Sequence, residues 1–254
     1  METELILDHE GDGNEDWNIF APVSPRAVEA EPEERAAFIR RTYMHVGAAL
    51  LGFVVLEFAI FQTRLPAFFL QFLSISWFTW LVLLAAFSSV ARFAESWAES
   101  EMSKEQQYGA LGIYVLAQSV LFSPFIRLAQ FYGGKSVIYT CVLLTLMLFT
   151  GLTVAVFATQ EDFSRLQAGL CIGVFVIFGL VVCWMLFGFS TGVICSEVTV
   201  SIAAAAILFQ TSRVMNYYRV NQHVAASLAL FASMALLFWY VMRIFIWLRR
   251  RRYE

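Results

Sequence analysis

"AAAAILFQTSRV", Ala203 to Val214, opens with seven apolar residues and then sets an amide, two hydroxyls and a guanidinium side by side before Val214. A run that is apolar on every face has no solvated side to offer, so it belongs in lipid or in a large core. The composition favours lipid. Of 254 residues 59% are hydrophobic and 15% charged, 25 are Phe, and the mean hydropathy is positive, which excludes an ordinary soluble domain.

A hydrocarbon core of about 30 Å needs about 20 apolar residues of helix, each rising about 1.5 Å. Seven stretches meet that length: Tyr43 to Gln62, Ala67 to Val90, Tyr108 to Ala129, Val137 to Thr159, Leu166 to Phe187, Gly192 to Phe209 and Val224 to Leu248. A transmembrane β-barrel would show shorter segments alternating with period two, whereas these are apolar on nearly every side and carry Gly and Ala inside. The expected fold is all-α, a polytopic bundle of seven transmembrane helices.

Residues 1–36 differ sharply, with eleven acidic residues against Arg26 and Arg35, and are expected to form a mobile acidic tail. Residues 37–248 then form the membrane domain, and residues 249–254 a short basic tail. No charged start followed by an apolar core opens the chain, so the first span is expected to serve for targeting. "DHEGDGNEDWNI", Asp8 to Ile19, superficially matches a calcium-binding loop, but Ile19 stands where that loop needs a bidentate Glu. Cys141, Cys171, Cys183 and Cys195 fall in or beside spans without metal or redox spacing, so they are expected to pack and to hold no metal.

Orientation follows the Lys and Arg of short connections. Arg26, Arg35, Arg40, Arg41, Arg92, Lys104, Arg165, Arg213 and Arg219 fall on the amino-terminal side, against Arg64, Arg127 and Lys135 opposite, so a cytoplasmic amino terminus is expected. Arg249 to Arg252 disturb that bias, because seven crossings would put them on the far side. Either an inserted bundle tolerates them there, or the last segment does not fully cross and both termini are cytoplasmic; seven helices are preferred, since Val224 to Leu248 is long enough to span.

Ionisable and amide groups at membrane depth are functional candidates by default. Glu57, late in the first span, and Glu197, early in the sixth, fall in the same half of the bilayer. Gln118 and Arg127 lie on the third span with Pro124, a residue that frees a carbonyl and bends a helix. Lines of small residues, Ala225, Ala229 and Ser233 in the seventh span and Gly169 and Gly173 in the fifth, suit close helix approach. "GFSTG", Gly188 to Gly192, matches a serine-hydrolase pattern, with His223 as an imaginable base. That pattern needs a strand and a strained turn, and here it joins two apolar helices, so no catalytic residues are expected.

Several segments carry more than periodicity: "ERAAFIRRTYMHVGAALLGF" entering the first span, "YGALGIYVLAQSVLFSPFI" in the third, "GLTVAVFATQEDFSRL" closing the fourth, then "AILFQTSRVMNYY" and "AASLALFASMALLFWYVMRIF". In this order they resemble the Bax inhibitor-1 family, closest to its bacterial YccA-type branch, over roughly residues 35–248. The resemblance implies a bundle with the seventh helix central. In the calcium-leak members the sixth helix carries Asp-Thr-Ser-Arg and the seventh a second Asp, a pair that shares a proton and senses pH. Carried over, Gln210 stands at the first Asp position, Thr211, Ser212 and Arg213 are retained, and Ser233 stands at the second. The YccA-type branch also has Ser at the second position but keeps a Glu at the first, so the match to it is incomplete.

The expected site is therefore this polar cluster without its proton switch, closed by neutral hydrogen bonds in which Gln210 accepts from Arg213 or donates to Ser233. The expected function is regulatory: modulation of membrane-protein quality control and stress response through helix contacts, in the bacterial inner membrane. The resemblance implies a membrane AAA protease as partner beside the lipid bilayer, with the acidic tail as its contact. The alternative is a calcium leak using Glu57 and Glu197, with calcium as permeant ion. No cofactor, nucleic acid or small-molecule substrate is expected.

Overall fold

The computed structural model describes residues 24–99, 103–173, 176 and 193–250, and among them every regular element is helical. The long helices are α1 (Pro32–Phe61), α3 (Trp77–Glu99), α4 (Lys104–Thr159), α6 (Val193–Asn216) and α7 (His223–Arg250). A short α2 (Leu65–Leu73) precedes α3, and a 3-10 turn, Phe163–Arg165, leads into helical residues 166–173, here α5. All five long helices are long and apolar enough to cross a membrane. Large apolar side chains point outward on them: Leu51 and Phe58 are each 70% exposed, which in water would be costly and in lipid is the favourable state.

The second apolar stretch is two helices rather than one. Its chain leaves α2 at Ser74, whose hydroxyl donates back to the Leu70 carbonyl, and re-enters a helix after Ser76, whose hydroxyl accepts the Phe78 N–H. Each serine offers the backbone a local partner that competes with the helix ladder. The third and fourth stretches, by contrast, run together as α4 and are separated only at Gly134, whose φ of 69° is the left-handed conformation that glycine adopts without strain. A Cβ on the preceding Gly133 would collide with the side chain of Val137, so both glycines are needed for the tight reversal.

Pro124 does not break the first arm of α4, because Gly134 is the one residue inside that helix with non-helical dihedrals. Proline withholds the N–H that would bond the carbonyl four residues back, Val120. The neighbouring Ser123 hydroxyl donates to that same carbonyl at 3.0 Å, so the orphan is satisfied within the helix.

α7 packs against α1, α3, α4 and α6, and 72% of its apolar span is buried against 17% of that of α1. It is the central helix. Phe122 of α4 stacks on Phe238 of α7 at 5.6 Å, and Trp239 meets Phe125 edge-on at 3.7 Å, so the two helices interlock through aromatic rings. Gly173 of α5 would bring a Cβ within 2.9 Å of Ile202, which gives that glycine the close-packing role expected of it.

The helical domain also begins earlier than residue 37. α1 starts at Pro32, and residues 25–27 are tied to the connection between α6 and α7. The Ala27 N–H donates to the Tyr218 carbonyl at 2.8 Å, the Val220 N–H to the Pro25 carbonyl at 3.2 Å, and Arg26 bridges Arg219. Backbone pairing, which no side-chain pattern announces, fixes the root of the tail.

Candidate functional site

The sixth helix places Gln210, Thr211, Ser212 and Arg213 in sequence, and each successive residue is turned about 100° from the last at about 3.6 residues per turn. The four therefore cannot face one partner. Gln210 and Arg213, three apart, look into one cavity of about 680 Å³ that Ser233 of α7 also lines. Thr211 and Ser212 do not line it.

Thr211 is fully buried, and its hydroxyl lies beside that of Tyr43 from α1, which also faces Thr153 of α4. The three hydroxyls approach one another without completing a hydrogen bond. Ser212 turns toward the connection after α4. It accepts the Phe163 N–H at 3.0 Å and the Asn216 amide at 3.4 Å, and donates to the Asp162 carboxylate at 3.4 Å. The Tyr217 hydroxyl donates to the other Asp162 oxygen at 3.2 Å. An acid outside the motif, Asp162, is thus the hydrogen-bond partner of Ser212.

The neutral closure expected between Gln210, Arg213 and Ser233 does not form. Ser233 donates to the Ala229 carbonyl of its own helix at 2.9 Å, the Gln210 Oε1 is buried without a partner, and Arg213 lies over the rings of Tyr218 at 5.0 Å and Phe209 at 5.7 Å. A hydroxyl on a helix always has the carbonyl four residues back within reach, and that local acceptor wins over a distant amide. The small-residue line Ala225, Ala229 and Ser233 also lines the cavity, with Ala225 and Ser233 buried in the packed bundle.

The same cavity takes Gln118 from α4, Glu95 from α3 and Arg243 from α7. Gln118 is 5% exposed and its Oε1 also lacks a partner. Sequence spacing could not join these groups, because they come from four helices whose rotation about their axes an all-apolar pattern leaves open.

Glu57 is buried, with neither carboxylate oxygen hydrogen-bonded among the described residues. Its helix packs mainly on α2, α4 and α7. The side chains of Cys195 and Glu197, the motif Gly188–Gly192 and Cys183 lie outside what the structure describes, as do residues 251–254 and the calcium-loop match at 8–19. Arg127 reaches no further than Gln130, 3.4 Å away on its own helix.

His223 belongs to a different constellation. Its Nε2 meets the Tyr108 hydroxyl at 3.2 Å, and its ring lies 5.2 Å from that of His45, which stacks on Tyr108 at 5.4 Å. His45 Nδ1 contacts the Arg41 carbonyl at 2.6 Å. Three helices, α1, α4 and α7, are joined here at the end of the bundle that carries the tail. No nucleophile accompanies the pair, and no group of three metal-ligating side chains occurs among the described residues.

The family model described as "Inhibitor of apoptosis-promoting Bax1" matches residues 35–251, nearly all of the helical domain. No curated protein and no solved structure matches the chain. With that match running through every described span and through both halves of the cavity, this chain belongs to the Bax inhibitor-1 family.

Proposed function

We propose that the protein is a non-enzymatic regulator of the YccA type, in which the acidic, pH-sensing pair has been replaced and activity runs through contacts with other membrane proteins. The observation that carries this reading is the charge of the cavity. Where the resemblance implies two carboxylates, Gln210 and Ser233 face a space lined by two guanidinium groups, Arg213 and Arg243, and one carboxylate, Glu95. A divalent cation entering it would exchange its hydration shell for a surplus of positive charge, which a membrane interior does not screen.

The tail supplies the contact. Its root is hydrogen-bonded to the α6–α7 connection at Tyr218, and the Tyr218 ring carries Arg213. A partner that grips the acidic residues 1–23 pulls directly on the turn beneath the cavity. The partner class is a membrane AAA protease of bacterial quality control, with the amino terminus on the cytoplasmic side of the inner membrane.

Affinity capture from native membranes with the full chain and with a chain lacking residues 1–23 tests this. Capture of protease subunits by the full chain alone is the expected result; their absence from both samples overturns it. A second reading, a cation leak, is favoured by the buried, unpartnered Glu57. Calcium-dye liposomes separate the two: flux equal to empty vesicles supports the regulator, whereas flux abolished by Glu57→Gln supports the leak.

A further inference from the structure

The cavity is elongated along one stripe of α7, from Ala225 to Arg243, which at about 1.5 Å per residue is about 27 Å. Small side chains, Ala225, Ala229, Ala232 and Ala235, form its floor, and Phe87, Phe122, Leu228 and Trp239 its apolar walls. A volume of about 680 Å³ is in the range of sites that hold a small organic molecule.

Glu95, Tyr218 and Tyr240 in its wall have partners, whereas its two amide oxygens do not. Among the described residues the Oε1 atoms of Gln118 and Gln210 have no partner, and Gln118 is only 5% exposed. Arg213 makes only ring contacts, and neither it nor Arg243 forms an ion pair with a described residue. A guanidinium at membrane depth is stable when an anion answers it, and a buried amide oxygen when a donor reaches it.

We propose that this cavity binds a single-chain anionic lipid whose head also carries a hydroxyl, the lysophospholipid class. The phosphate pairs with Arg213, where a planar fork of donors suits two phosphate oxygens. The head hydroxyl donates to the Gln210 or Gln118 oxygen. The hydrocarbon chain lies along the alanine floor toward Trp239. A free inorganic anion would leave the apolar length empty, and a neutral lipid would leave Arg213 uncompensated.

This inference goes beyond the regulatory proposal and stands apart from it, since no protease enters the assay. Full-length protein in detergent is titrated with a lysophosphatidate brominated along its chain, and Trp239 emission is taken as the difference between the protein and its Trp239→Phe variant. Saturable quenching is expected, with monoacylglycerol giving none and affinity falling at least about tenfold in Arg213→Gln. Because Arg213 also packs on the rings of Phe209 and Tyr218, Ala232→Leu provides the second variant: it leaves every polar group in place and fills the floor, and it too should abolish quenching. Equal quenching by the neutral lipid, or full quenching in Ala232→Leu, overturns the proposal. Displacement by glycerol phosphate or inorganic phosphate at concentrations comparable to the lipid would show a free-anion site and overturn it as well.

Discussion

The hydroxyl of Ser123 and the carbonyl of Val120 are 3.0 Å apart, and each solves a problem the next residue creates. Pro124 cannot supply the N–H that Val120 expects, and lipid cannot supply one either. Ser123→Ala should therefore destabilise the protein by about 1 kcal/mol, the worth of a satisfied buried acceptor. In a Pro124→Ala background the backbone N–H returns, and the same serine substitution should cost close to nothing. Thermal unfolding of the four proteins in detergent measures the cycle; equal serine costs in both backgrounds would refute the pairing.

Gly134 carries a positive φ and Gly133 touches Val137. Gly134→Ala should lose about 1–2 kcal/mol because a Cβ is disfavoured in the left-handed region. Gly133→Ala should be destabilising for a different reason, and Val137→Ala should relieve much of it. A stability assay on the single and double variants distinguishes backbone strain, which no partner change repairs, from a side-chain collision.

Ser212 holds the connection after α4 through Phe163 and Asp162. Ser212→Ala leaves a backbone N–H and a carboxylate oxygen to find new partners, at a cost of about 1–3 kcal/mol. The effect should be local. Hydrogen exchange at residues 160–165 should accelerate by at least about tenfold while α7 keeps its protection. Uniform acceleration across the bundle would mean that Ser212 supports global packing instead.

Glu57 is buried, and among the described residues neither of its oxygens has a hydrogen-bond partner. Replacing an uncompensated carboxyl by an amide of the same shape removes the largest desolvation cost at that position. Glu57→Gln should raise the unfolding temperature by a few degrees, roughly the shift that about 1 kcal/mol produces. A fall would show that the carboxyl is held by an interaction specific to its acidity, and would strengthen the leak reading.

The membrane class, the helical fold and the positions of most spans were legible in the residues alone, because only a helix satisfies its own backbone in lipid and about 20 apolar residues set its length. The Gln210–Arg213 segment was legible as a site through its resemblance to the family's polar cluster, not through any periodicity of its own. The division of the second span at Ser74–Ser76 was not, since local serine hydrogen bonds carry no signal in an apolar average. Nor was the part played by Pro124, where a proline signals a bend and only the position of the Ser123 hydroxyl shows why the helix stays regular.

What the sequence determined by itself is how deep each polar residue sits, because depth is counted along the chain. What only the tertiary structure decided is direction. A helix apolar on all sides carries no stripe to fix its rotation, so nothing in the order Gln210, Thr211, Ser212, Arg213 says that the first and last share a cavity with Gln118 and Ser233. Nor does it say that Thr211 turns to Tyr43 or that Ser212 turns to Asp162. Packing of α7 against four neighbouring helices sets those rotations, and with them which polar groups meet and which are left without partners.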